Sequence, residues 1–325
     1  MKAFQTLMAI AVLVLLVGLG AGQAADKQII ITAADVVSAE SHLGKSMDFF
    51  AQKLEEYSGG KVKVEVYHGG SLGGERDILE NVKGGSIHIA APGGGVLGIF
   101  YRPAEIFTFP YLFKDRAHAD RVWAKLLPEF STDLEKESGF KGLAIWNRPA
   151  RNLSASKPVR KVEDMKGLKI RVPNTTMWVG AFKRFGASPT PMAFPEVYTA
   201  LKTRVIDGQD NPIVLTYASG FFEVNKYYSL IRHMYQDNLL VTSSDFFNGL
   251  PADIQQAVLK AAADSNEYCR NLSLQEEERL MKAAKEKYGV EFIEPDLSGF
   301  RAAVEGFIDE FPHVQKWYEK AKQID

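Results

Sequence analysis

The chain has 325 residues, 46% of them apolar and 24% charged, with 39 basic side chains against 40 acidic ones. That composition describes a globular protein long enough for two domains. A formal charge of −1 offers no basic excess of the kind nucleic-acid binding requires, so no nucleic-acid partner is expected. The one cysteine, Cys269, excludes an intrachain disulfide. It falls in a helical pattern and reads as a small packed hydrophobe.

Lys2, the apolar run from Leu7 to Leu19 and the small residues around Gln23 form an export signal over residues 1–24, with cleavage before Ala25. No later stretch approaches the roughly 18 apolar residues of a membrane span. The mature protein is therefore expected to be exported and periplasmic, and with no cysteine at the cleavage point it carries no lipid anchor. Ile29 to Ala33 reads as a buried strand, and Leu43, Met47, Phe50 and Leu54 recur at helical spacing. Val62, Val64 and Val66 alternate with charged residues, as in a half-covered strand. A helix carrying Ile78, Leu79 and Val82 and a strand from Ile87 to Ala91 follow. Strands alternating with helices predict a parallel sheet with crossover helices, an α/β fold.

Pro92-Gly93-Gly94-Gly95 comes at the carboxyl end of a strand, where open α/β sheets place ligands. Its spacing lacks the fingerprint of a phosphate-binding loop. Gly93 and Gly94 read instead as backbone cleared of side chains for a bulky ligand, with a flexible loop as the plainer alternative. Phe107, Phe109, Tyr111 and Phe113 alternate as in an extended segment that covers the core or walls a pocket. Asp120 to Glu137 is helical in pattern, with a break expected at Pro128. Leu143 to Trp146 is a strand leading out of the first sheet, and Arg148 and Arg151 lie just beyond it.

The most informative stretch runs from Gly167 to Pro212. Arg171 ends a short apolar strand, and Pro173 behind it has no N–H with which to continue a central strand. A guanidinium on a rigid strand end suits a carboxylate. Arg151 is expected on a neighbouring strand, so that the two form a clamp, with Arg148 as a third positive contact for a doubly charged ligand. Asn174 caps a helix bearing Trp178, Ala181, Phe182 and Phe185. Trp178 shares the core stripe, yet beside Arg171 it is also placed to stack on a ligand. Phe194 offers an apolar floor and Asn211, in the turn-like DGQDNP, a side-chain amide. From Pro251 the chain is mostly helical, with a short strand near Val290 to Ile293 and two terminal helices between Phe300 and Tyr318.

Catalytic patterns are absent. The six histidines are scattered without metal-ligand spacing, no nucleophile elbow is present, and Glu196, Asp207 and Asp210 fit capping and turn roles. No metal, cofactor or catalytic residue is expected. An exported enzyme acting on organic acids is the alternative from another class, and a ligand-sensing receptor subunit stays open.

GLKIRVP, ASPTPMAFPEVYTALKT, DGQDNP and SLGGERDILENVKGGSI, with an exported N-terminus, resemble the solute-binding proteins of TRAP transporters, the DctP-like family, over essentially the whole mature chain. The resemblance implies a periplasmic-binding-protein-like fold: two α/β lobes, a ligand cleft between them and a long connecting helix. Lobe I would comprise residues 25–148 plus 237–276, and lobe II residues 149–236 plus 277–325. It also implies a monomer that captures an organic acid and delivers it to a sodium-coupled TRAP membrane permease without catalysis. By motif position, Arg171 matches the family's carboxylate-binding arginine, Arg151 an assisting arginine, Asn211 a ligand-bonding asparagine and Phe194 an aromatic beside the ligand. Gly93 to Gly95 depart from the sialic-acid-binding pattern, which carries polar contacts there. Sugar acids, 2-oxo acids and C4-dicarboxylates remain as candidates, and Trp146 and Trp178 add aromatic acids.

Overall fold

The computed structural model describes residues 28–325, and the expected export signal lies outside the described residues. The first sheet opens with β1 (Ile29–Ala34), α1 (His42–Tyr57), β2 (Val62–Tyr67), α2 (Glu75–Gly84) and β3 (Ile89–Ala90), followed after two 3-10 turns by α3 (Arg116–Ser138) and β4 (Phe140–Trp146). The chain then builds a second sheet through β5 (Arg151–Ala155), β6 (Lys169–Val172), α4 (Thr176–Arg184), β7 (Ser188–Pro191), α5 (Val197–Lys202), β8 (Gly208–Asn211), α6 (Ile213–Ala218) and β9 (Tyr227–Met234). It returns with β10 (Asn238–Ser243) and α7 (Ser244–Gly249), and continues through α8 (Ala252–Tyr288) to β11 (Glu291–Ile293), α9 (Ser298–Ala303) and α10 (Gln315–Lys322).

The strand order is β2-β1-β3-β10-β4 in one sheet and β11-β9-β5-β8-β6-β7 in the other. β1 pairs in parallel with β2 and β3, as the alternation of strand and helix predicts, and β10 inserts antiparallel between β3 and β4. In the second sheet β5 runs against both neighbours. β8 lies between β5 and β6, so Arg151 and Arg171 are not on adjacent strands as expected. The cause is DGQDNP, which forms a central strand instead of a turn. Gly208 makes this possible: a Cβ there would stand 2.6 Å from the Ser154 carbonyl oxygen, so the bare backbone lets β5 and β8 approach.

Helix α8 spans both lobes because its buried face serves two cores. Ile254, Val258, Ala261 and Cys269 join the cluster built on β1, α1 and β4, whereas Leu280 and Ala284 pack with Ile213, Val214 and Tyr228. Gly289, in the left-handed conformation at φ 67°, ends it. Burial pushes the Cys269 thiol up to about 12, in keeping with a packing role. Among the described residues no helix is long and apolar enough to cross a membrane.

Two expectations change in the packing. α3 runs unbroken through Pro128, because Val122, Trp123, Leu126, Phe130 and Leu134 all bury from one continuous helix, and that burial outweighs the missing hydrogen bond. The Phe107 segment is a 3-10 turn over Arg102–Thr108, not an extended wall, with Phe107 stacked 3.9 Å from Trp123. At the chain's end Arg184 of α4 holds Glu310 and the Ala303 carbonyl, while Trp317 of α10 packs on Phe130, and Lys316 pairs with Glu129 and Asp133 of α3.

The chain passes between the two sheets at residues 147–150, at 235–237 and along α8. Arg116 of α3 fastens the first two crossings together. Its Nη1 donates to the Arg148 carbonyl at 3.2 Å and to Asp237 Oδ1 at 2.6 Å, and its Nη2 donates to Asp237 Oδ2 at 2.9 Å.

Candidate functional site

A cavity with about 520 Å³ of empty space, its open margin included, lies between the lobes at the carboxyl ends of the parallel strands. Asp35, Glu75, Gly93 and Trp146 line it from lobe I, and Arg151, Arg171, Phe194 and Asn211 from lobe II. Arg148, Gln236 and Asn238 reach it from the two crossing segments. The lobes meet over it. Pro195 sits so close to Gly70 that a Cβ on Gly70 would stand 2.5 Å from its Cγ, and Thr176 Oγ1 donates to Glu105 Oε1 across the interface at 2.9 Å.

Arg171 is buried on β6, with its Nε and Nη2 donating to the Met192 carbonyl at 3.1 and 2.8 Å. Phe194 lies 5.7 Å beneath the guanidinium. No carboxylate of the described residues pairs with Arg171, and burial pushes its guanidinium down to about 10. Arg148 is held in the same manner. Its Nη1 donates to Gln236 Oε1 at 3.0 Å and Asn238 Oδ1 at 3.1 Å, and its Nη2 to Asn211 Oδ1 at 3.3 Å. Its Nε, fully enclosed, has no partner. Burial, reinforced by the like charge of Arg151, pushes Arg148 down to about 9. Both groups therefore stay cationic at neutral pH while facing only neutral acceptors.

Arg151 differs. Its Nε donates to Asp210 Oδ2 at 2.7 Å, and its Nη2 contacts the Asp210 carbonyl. Burial alone would raise the Asp210 carboxyl, but Arg151 and His233, 3.2 Å away, outweigh it and hold the group well below the usual range. Trp178 lies behind this pair and not on the cavity wall. Its indole N–H donates to Asp210 Oδ2 at 3.3 Å and its ring lies 4.8 Å under the Arg151 guanidinium. The expected clamp of Arg151 with Arg171 is thus a matched ion pair beside an unmatched cation, and the second unmatched cation is Arg148. Asn211 donates to Gln209 Oε1 at 2.6 Å, which fixes its amide and leaves one N–H for the cavity.

The glycine loop is pinned. The Gly93 N–H donates to Glu75 Oε1 at 2.8 Å and the Gly94 N–H to the Asp237 carbonyl at 2.8 Å, so neither amide is free to cradle an anion. Gly94 does not face the cavity: a Cβ there would meet the Phe107 ring at 2.6 Å, and one on Gly95 would meet Thr108 Cγ2 at 2.0 Å. Their bareness serves packing, so the room for a larger acid expected from Gly93–Gly95 is not there.

Sequence reasoning missed Asp35, Glu75, Gln236 and Asn238. Glu75 stands in a quoted motif, but nothing local marks it as pointing inward from the first turn of α2. Gln236 and Asn238 flank a chain crossing that only the tertiary fold defines. Asp35 Oδ2 meets His68 Nδ1 at 2.9 Å, and that hydrogen bond and charge raise His68 to about 9.

A sequence profile of the bacterial extracellular solute-binding proteins of family 7 matches residues 33–313. The chain is 36% identical over 246 residues to the 2,3-diketo-L-gulonate-binding periplasmic protein of Escherichia coli strain K12, spanning 75% of this chain and 74% of that one. It is 32% identical over 269 residues to the C4-dicarboxylate-binding periplasmic protein DctP of Rhodobacter capsulatus, with 82% and 80% covered. The crystal structure of a TRAP periplasmic solute-binding protein from Xanthobacter autotrophicus Py2 with bound β-D-galacturonate superposes with a TM-score of 0.86 at 32% identity, covering 91% of this chain and 100% of that one.

Proposed function

The chain belongs to the bacterial extracellular solute-binding proteins of family 7, and we propose that its cavity selects a hydroxylated monocarboxylate, a sugar acid of the uronate or aldonate type. As a TRAP solute-binding protein it captures an organic acid between two lobes for transport by a TRAP membrane permease. The observation that carries the finer reading is the charge of the lining. Arg151 is matched by Asp210 and Asp35 by His68. Arg148 and Arg171 then stand against Glu75 alone, which leaves one positive charge in excess.

A monoanion balances that charge, whereas the second carboxylate of a dicarboxylate would be repelled by Glu75. Arg171 receives the ligand carboxylate through its open guanidinium edge, and Asn211 adds one N–H. Glu75 keeps one carboxylate oxygen to accept a hydroxyl, and the amides of Gln236 and Asn238 bond further hydroxyls. Phe194 and Trp146 cover the ring or chain carbons. Two or three charge-assisted bonds, each worth about 1.5–3 kcal/mol, correspond with carbon burial to micromolar affinity or tighter. The protein acts as a monomer and leaves its ligand chemically unchanged. Of the described residues, lobe I consists of 28–146 with 238 onward to mid-α8 and the α10 region, and lobe II of the remainder.

Calorimetric titration of the mature chain with D-galacturonate, D-glucuronate, an aldonate and succinate tests this reading. Hydroxylated monoacids are expected to bind at least ten-fold more tightly than succinate. The reverse order, or chemical turnover of any bound acid, would sink the proposal.

A further inference from the structure

Gln236 Oε1 accepts from two buried guanidinium groups at once, Arg148 Nη1 and Arg151 Nη1, each at 3.0 Å. With that oxygen fixed between them, the Nε2 end of the amide is turned to Gly93. A Cβ on residue 93 would stand 2.3 Å from Nε2 and 3.3 Å from Cδ, so a side chain there and Gln236 in this position exclude each other. Gly93 has φ −57° and ψ 131°, a conformation open to any residue, so backbone strain does not explain the glycine. The space for Gln236 does.

The acceptor's neutrality is the second point. The neighbouring Asp237 shows that this crossing can carry a buried carboxylate, but that carboxylate is taken by Arg116 and by the Arg148 backbone N–H at 3.1 Å. The side chain between the two cations is an amide, as are the others on Arg148, Asn238 and Asn211. A carboxylate at residue 236 would lie between two positive charges and stabilise the ligand-free protein, but it would match the charge that a ligand must meet.

We propose that Gln236 is the charge-setting residue of the site: a neutral acceptor, seated by Gly93, that positions Arg148 and Arg151 while leaving the charge of Arg148 to be matched by the ligand. This rests on the reading of the cavity as an anion site. Stability is thereby given up in the empty protein in favour of affinity. Gln236 is a positioning residue for both arginines, and the opposite response of stability and affinity to a carboxylate distinguishes this from a packing role.

The test is Gln236→Glu, with the melting temperature of the ligand-free protein and calorimetric affinity for D-galacturonate measured at pH 7.5. The expected result is a melting temperature above the parent's together with an affinity loss of about 100-fold or more. Gln236→Ala is expected to lower both. Gly93→Ala is expected to lower affinity in the parent and to add no further loss to Gln236→Ala, since the group it would strike is gone. A lower melting temperature for Gln236→Glu, unchanged affinity, or additive losses for the two alanine changes would overturn the proposal. If the parent binds no sugar acid, the ligand reading fails by itself, and the melting temperatures of the ligand-free variants still decide the role of Gln236.

Discussion

Arg148 and Arg151 are three positions apart and carry the same charge, yet the fold gives them opposite surroundings. Removing Arg151 strands the Asp210 carboxylate in the core, so Arg151→Ala is expected to destabilise the ligand-free protein by about 3–5 kcal/mol in chemical denaturation. Arg148→Ala removes a cation whose guanidinium donates only to neutral amide oxygens. Its stability is expected to stay within about 1 kcal/mol of the parent, while affinity for a sugar acid drops about 10- to 100-fold. Equal destabilisation by both changes would contradict the assignment. Arg171 was legible as an arginine ahead of a proline on an apolar strand, but the partner of Arg151 was not. That pairing depends on the antiparallel register of β5 and β8, in which Leu153 stands opposite Asp210. His68 gives a pH-dependent expectation. Its pairing with Asp35 and Asp48 raises it from 6.5 to about 9, so the stability it contributes is fully present below pH 6.5 and is lost as pH rises through 9. Thermal melts between those limits are expected to slope downward in the parent and to flatten in His68→Gln. Arg148, depressed to about 9, acts with the opposite sign and only above that pH, so it leaves this window undisturbed.

β8 is the element that carries most of the site and that its composition conceals. Gly, Gln, Asp and Asn are poor strand formers, and DGQDNP reads as a turn until its neighbours are known. In the fold Gln209, Asp210 and Asn211 are at most 1% exposed, each committed to a named partner. Burying so polar a strand is tolerable only because those bonds are made. Gly208→Ala is expected to force β5 and β8 apart, costing about 1–3 kcal/mol, and to weaken ligand binding at the same time, because Asn211 and the Arg151–Asp210 pair ride on that strand. Ordinary stability with unchanged binding would show that the strand tolerates the methyl. Elements with apolar periodicity, such as α1 with Leu43, Met47, Phe50 and Leu54, were legible because burial and local pattern agree. α3 was misread at Pro128 because the penalty of one proline is local, while the aromatic packing that overrides it comes from Phe107 and Trp317, far along the chain.

At the scale of the whole molecule the cavity is lined from both lobes, so ligand binding and closure are coupled. Thr176 and Glu105 lie on opposite lobes, and their hydrogen bond exists only when the lobes meet. Thr176→Val is expected to weaken ligand affinity about 3- to 10-fold, and small-angle scattering of the ligand-free variant is expected to show the more extended form. Scattering profiles of the parent that do not contract on saturation with ligand would count against closure. The sequence by itself determined the α/β class, the helices and outer strands with clear apolar periods, and the resemblance that placed Arg171, Asn211 and Phe194 together, because these are properties of local spacing and of motifs short enough to read along the chain. Only the tertiary structure decided which arginine is neutralised, that Gly94 and Trp178 serve packing, and that Gln236 and Glu75 face the cavity. Each depends on which strand lies beside which and on where the chain crosses between lobes, and charge matching is a property of neighbours in space.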